Sequence, residues 1–176
     1  MNKRFLILCA SVLLAIGVHA QFITVSDLLQ LRKVLRSGRH EQINAVVDAA
    51  IINKGYENKY SPSDNELYFY KNCRLVIADS PGRLARGIEV DAEPKNSLAS
   101  MCYISVGQYG GYISVTVYSK ANAQKWIDQL KALGYRNNGN GGEGNQGRDW
   151  EYSKMGYPDI TVWNDYGVTY SLSVSF

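Results

Sequence analysis

One pattern, met twice, limits the folds open to this chain more than any other feature. The stretch from Tyr112 to Tyr135 reads as a strand rich in β-branched residues that leads through Ser119 into an amphipathic helix ending at Gly134 and Tyr135. An earlier helix, from about Glu41 to Asn53, ends the same way at Gly55 and Tyr56. In such a cap glycine supplies the positive φ, and the residue after it folds back on the last turn. Val47 and Ile51 are then matched by Trp126 and Leu130. Beyond the caps, Glu66, Leu67, Phe69 and Lys71 set an order of acid, apolar, aromatic and lysine that returns as Asp149, Trp150, Tyr152 and Lys154. A helix cap alone recurs often, but a cap and a strand pattern in the same order indicate an internal repeat. The expected fold is α+β: two helix-plus-antiparallel-strand repeats forming one sheet, with the helices packed on one face.

The remaining elements fill in around this frame. Ser26 is the expected N-cap of a first helix, with Asp27 near the positive end of its dipole and Leu28, Leu31 and Leu35 as its apolar stripe. Arg32, Lys33 and Arg36 cluster toward its carboxyl end, where the macrodipole favours cations. Strands are expected at Leu67 to Lys71 and Cys73 to Ala78, followed by a less regular piece from Asp79 to Lys95 broken by Pro81-Gly82 and Pro94.

A hairpin spans Met101 to Ser119, with Gly110-Gly111 as its expected two-residue turn. That register sets Tyr109 opposite Tyr112, Val106 opposite Val115 and Tyr103 opposite Tyr118. Alternation sends Cys102, Ile104, Val106, Ile113, Val115 and Val117 to the core, and Tyr103, Ser105, Tyr109, Tyr112, Ser114, Thr116 and Tyr118 to the opposite surface. Val168 to Phe176 alternates as strictly, which suits a sheet covered on one side and open to water on the other.

Residues 1–20 read as a cleaved signal peptide. Lys3 and Arg4 precede an apolar run from Phe5 to Ile16, and Val18-His19-Ala20 fits a peptidase site. A periplasmic or secreted location follows as an expectation, with residues 21–176 forming a single α+β domain of half-repeats at approximately 21–100 and 101–176. Loss of the two leader cations takes the formal charge from +3 to +1. A nearly neutral chain argues against a nucleic-acid binder, and no later stretch is long enough for a transmembrane helix. Cys73 and Cys102 remain, and in an exported chain a disulfide between them is the simplest expectation. The alternative is two buried free thiols.

Chemistry-bearing motifs are scarce. His40 is the one histidine beyond the leader, at a helix start, and no His, Cys, Asp or Glu set has metal-ligand spacing. No metal, cofactor or catalytic residue is therefore assigned. The glycine- and asparagine-rich stretch from Asn137 to Gly147 leaves a helix and enters a strand, the reverse of a phosphate-cradling loop. What is left is a surface, formed by Tyr103, Tyr109, Tyr112 and Tyr118 with Trp163. Tyrosine joins a rigid contact area to a polar tip, and Ser and Thr add adaptable hydrogen bonds, so this face suits a protein or glycan partner. The same residues also make an ordinary solvated sheet. The expected function is an exported, non-catalytic binding module using this face or the Asn/Gly-rich loop. The alternatives are a small secreted hydrolase and a structural homo-oligomer subunit.

The run Thr24-Val25-Ser26-Asp27-Leu28-Leu29, followed by a helix ending in Asn53-Lys54-Gly55-Tyr56, resembles the start of small exported proteins of Bacteroidetes-type bacteria. The resemblance implies export and a helical start, with no activity to carry over. The tandem plan is also similar to that of secreted β-lactamase-inhibitory proteins. Their helix-start motif and four-cysteine framework are missing here, so that likeness is one of architecture only.

Overall fold

The computed structural model describes residues 22–38, 40–56, 58–63, 65–80, 87–107, 110–139, 143–144, 147–165 and 167–176. The leader therefore lies outside the described residues. The chain runs α1 (Val25–Ser37), α2 (His40–Ala50), a 3-10 turn (Ile52–Lys54), β1 (Asn58–Ser63), β2 (Glu66–Lys71), β3 (Cys73–Ser80), β4 (Gly87–Pro94), β5 (Ser100–Gly107) and β6 (Gly110–Val117). It continues through α3 (Lys120–Ala132), β7 (Arg136–Asn137), β8 (Glu143–Gly144), β9 (Gly147–Ser153), β10 (Ile160–Asp165) and β11 (Thr169–Ser175). This is an α+β fold with an antiparallel sheet. No helix among the described residues is long and apolar enough to cross a membrane.

The main sheet runs β1-β2-β5-β6-β11-β10-β9-β7, with β8 paired to β9, and β3 and β4 form a separate two-stranded arm. From either edge inward, the order meets the strands as they follow one helical segment. The centre of the sheet falls between β6 and β11, so Ser100–Val117 sits with β1 and β2. α3 thus separates the strands on one side of that centre from those on the other.

Alternation decides what is buried. Phe69, Cys102, Ile104, Ile113, Val115, Val117, Ile160, Val162, Leu172 and Val174 turn to the helix side and form one cluster with Leu28, Leu31, Val47, Ile51, Trp126 and Leu130. Each such side chain contributes about 1.5–3 kcal/mol by leaving water. Trp126 keeps its indole N–H satisfied by donating to the Ile23 carbonyl at 2.9 Å, and the Gln129 side chain accepts from the Val25 amide at 2.9 Å. These two bonds lock α3 to the start of α1.

The helix ends explain the cap signals. α1 is capped by Thr24, two residues before the expected Ser26: Thr24 Oγ1 accepts from the Asp27 amide at 3.1 Å, and Asp27 Oδ2 accepts from the Thr24 amide at 2.8 Å. This is a capping box with an aspartate in the acidic place. Asp27 is also ion-paired to Lys54. Ser119 occupies the N-cap of α3 without a side-chain cap bond. Gly55 and Gly134 both hold left-handed φ, +79° and +82°. Lys71 donates to the Lys54 carbonyl at 2.5 Å, and Lys154 donates to the Leu133 carbonyl at 2.8 Å. Each lysine thus closes the carbonyl just before its glycine, where the negative end of the helix dipole favours a cation.

The hairpin differs from expectation. Gly107 pairs with Gly110, Ser105 with Tyr112 and Cys102 with Val115, so Gly110 and Gly111 are paired residues of β6 rather than the turn. The partners move, while each residue keeps its face. The glycines serve a different purpose: Gly111 exchanges both backbone hydrogen bonds with Phe176, whose ring takes the space a Cβ would need. Val106, near the hairpin end, is 40% exposed instead of buried.

The disulfide is also corrected. Cys73 and Cys102 are free, buried thiols. Cys102 faces the helices from β5, opposite Phe69. Cys73 follows the turn at Asn72 (φ +51°) into a second cluster with Ala92 and Ala99, packed against Tyr70, Met101 and Tyr118. Its Sγ lies on the carbonyls of Lys71 and Ser100, at 3.1 and 3.7 Å.

Candidate binding face

The side of the sheet away from the helices carries the odd-numbered residues of β5 and β10 and the even-numbered residues of β2 and β6. The register lines them up in rows. One row is Tyr68, Tyr103, Ser114, Ser173, Thr161 and Glu151; the next is Tyr70, Met101, Thr116, Ser171, Trp163 and Asp149. Aromatic residues flank a floor of hydroxyls. Ser114 and Ser173 are recessed, 9% and 8% exposed, although they belong to the uncovered face. Thr116 Oγ1 and Ser171 Oγ share a hydrogen bond at 2.9 Å across the central strand pair.

The tyrosines are ordered by contacts of their own. Tyr103 stacks beside Tyr68 with ring centroids 4.6 Å apart, and Tyr112 lies 6.3 Å from Tyr103. Tyr103 donates to Glu66 Oε1 at 2.7 Å. Burial raises the Tyr103 phenol above its ordinary pKa, and the Glu66 carboxylate adds to the shift. Both effects keep it a neutral donor.

Of the residues picked from sequence, Tyr103 and Tyr112 come together and Trp163 shares their face across the sheet. Tyr118 does not join them: it donates to the Ala92 carbonyl at 2.7 Å and sits at the base of the β3–β4 arm. Tyr109 lies outside the described residues, as do the side chain of His40 and residues 140–142 and 145–146 of the Asn/Gly-rich stretch. Sequence reasoning missed Tyr68, Tyr70 and Glu66. The signal was present, because an inward Phe69 puts its neighbours on β2 outward.

Beside Tyr112 the face opens into a cleft of about 370 Å³ lined by Arg32, Glu151, Asp159, Thr161 and Ser173. Among the described residues no group of three or more His, Cys, Asp or Glu is placed to hold a metal ion. The chain matches no protein-family model, no curated protein and no solved structure.

Proposed function

We propose that this chain is an exported, non-catalytic binding module that takes a partner protein on its open sheet face. The observation that carries the reading is the joined set Tyr68, Tyr103 and Tyr112 beside the recessed hydroxyls of Ser114 and Ser173. Rigid rings held in place lose little entropy on binding, and their phenol tips can bond a partner's backbone. The hydroxyl floor supplies donors and acceptors with little desolvation of charge. Export is supported by Lys3 and Arg4, the apolar run after them and the small residues at Val18 and Ala20. The likeness of the two lysine-closed helix ends supports an internal repeat, in which the first helical segment carries four strands of the main sheet and the second carries five.

A photo-reactive residue at position 112 or 163 tests the face, with position 125 on α3 as the control. Crosslinks to one protein of the cell envelope from 112 and 163, absent from 125 and lost when Tyr103→Ser is added, are expected. Crosslinking from 125 alone would overturn the reading. So would a glycan-array signal abolished by Tyr112→Ser, or a face consumed by self-association in sedimentation.

A further inference from the structure

A second site lies at the end of the sheet, next to the open face and sharing Arg32 and Ser175 with the cleft beside Tyr112. α1 places Arg32, Leu35 and Arg36 on one surface, since residues three and four apart on a helix are neighbours. That surface looks onto the hairpin end of β5 and β6, where Gly107 and Gly110 carry no side chains. Between them is a cleft of about 640 Å³, within the range of small-ligand sites. Leu35, Val106 and Phe176 give it apolar lining residues, and Arg32 and Arg36 line it as well.

Neither arginine is ion-paired with a described residue, whereas Lys54 and Arg74 both are. Arg32 uses its Nε to donate to the Ser175 carbonyl at 2.7 Å, which fixes the guanidinium at the cleft and leaves its two terminal amino groups. Burial lowers the Arg32 pKa, and repulsion from the neighbouring Arg36 charge adds to the shift. An anion bridging the two would relieve that repulsion and match the planar forks.

We propose that this cleft binds a small amphipathic anion, its carboxylate or phosphate head between Arg32 and Arg36 and its apolar body along Phe176, Leu35 and Val106. A simple inorganic anion would leave the apolar lining unused. A cationic amphiphile would meet two like charges.

Titration of the isotope-labelled chain with octanoate, followed by amide NMR, tests this. Saturable shifts at Gly107, Gly110 and Phe176 are expected, with acetate, inorganic phosphate and octylammonium weaker than octanoate by about tenfold or more. Arg36→Glu, at an exposed position with no hydrogen bond or ion pair to a described residue, should weaken octanoate by about tenfold, the scale of one charge-assisted contact, with a fall in thermal midpoint limited to that of one reversed charge at a helix carboxyl end. Arg36→Lys should retain part of the affinity. The proposal falls if octanoate leaves those amides unmoved, if Arg36→Glu binds it equally well, or if phosphate alone matches octanoate. Binding to phosphatidylglycerol vesicles without any response to free octanoate would overturn it as well, by assigning the arginines to a membrane surface.

Discussion

Phe176 packs against Gly111: the two residues exchange backbone hydrogen bonds of 2.8 and 2.9 Å, and the phenyl ring fills the volume a Cβ on Gly111 would occupy. Gly111→Ala should therefore cost about 1–3 kcal/mol through overpacking. Phe176→Ala makes room, so the double variant should lose less than the two single losses added together, a coupling that urea unfolding of all four proteins measures.

Lys154 reaches the Leu133 carbonyl at the end of α3 and also covers the Tyr157 ring at 4.0 Å. Lys154→Met keeps most of the apolar stem and removes the charge. A loss of about 1 kcal/mol is expected from the missing charge-assisted bond at a helix carboxyl end, read as a lower urea midpoint with an unchanged slope.

Alkaline pH should destabilise the fold. Burial raises the pKa of Tyr56, Tyr118 and Cys102, and in each case it is the largest cause. A raised folded pKa means that the unfolded chain gives up its proton first. The stability these groups contribute is complete below the unfolded values, about 8.5 for Cys and about 10 for Tyr, and is lost as pH climbs past them. Urea midpoints should hold from about pH 7 to 8 and fall increasingly above about pH 9. Tyr56→Phe should flatten that fall while losing the 2.5 Å bond with Ser100.

The thiols give a direct count. Native protein should react very slowly with a thiol reagent at neutral pH, because burial raises both the Cys73 and the Cys102 pKa and hides the sulfurs. In denaturant without reductant both should react, two thiols per mature chain. A protein in which neither reacts would carry the bond that the fold lacks.

Much of this fold was legible because parity survives error. The hairpin turn was expected at Gly110-Gly111, yet the observed register differs by an even number of residues, so Tyr103 and Tyr112 stay outside and Cys102 and Val115 stay inside. What was lost was the partner of each residue, and with it the contact of Tyr103 with Tyr68. A two-residue glycine signal cannot distinguish a turn from a place where a distant ring must pack, since both require the missing Cβ. β4 was read as irregular because Glu89, Asp91 and Glu93 dilute its apolar content. Arg74 on β3 bonds Glu93 across the arm, one of the pairings that make those charges compatible with a strand. β1 was missed for a similar reason, since its polar sequence with Pro62 suits a sheet edge. The site was half visible: strand alternation predicts a face, but only the packing of the arm shows that Tyr118 is withdrawn from it.

The position of β11 carries a consequence for how the molecule is made. It follows every other described strand in the chain, yet it sits in the middle of the sheet, joining Tyr170–Ser175 to Tyr112–Val117. During synthesis the first six strands can pair among themselves, while β6 waits as an open edge until the remainder emerges. Such a chain completes its core only once β11 has emerged, through contacts distant in sequence, and folding of this kind is slow and exposed to misassociation. A chaperone that shields an unpaired strand would act here on β6, in the interval before β11 arrives.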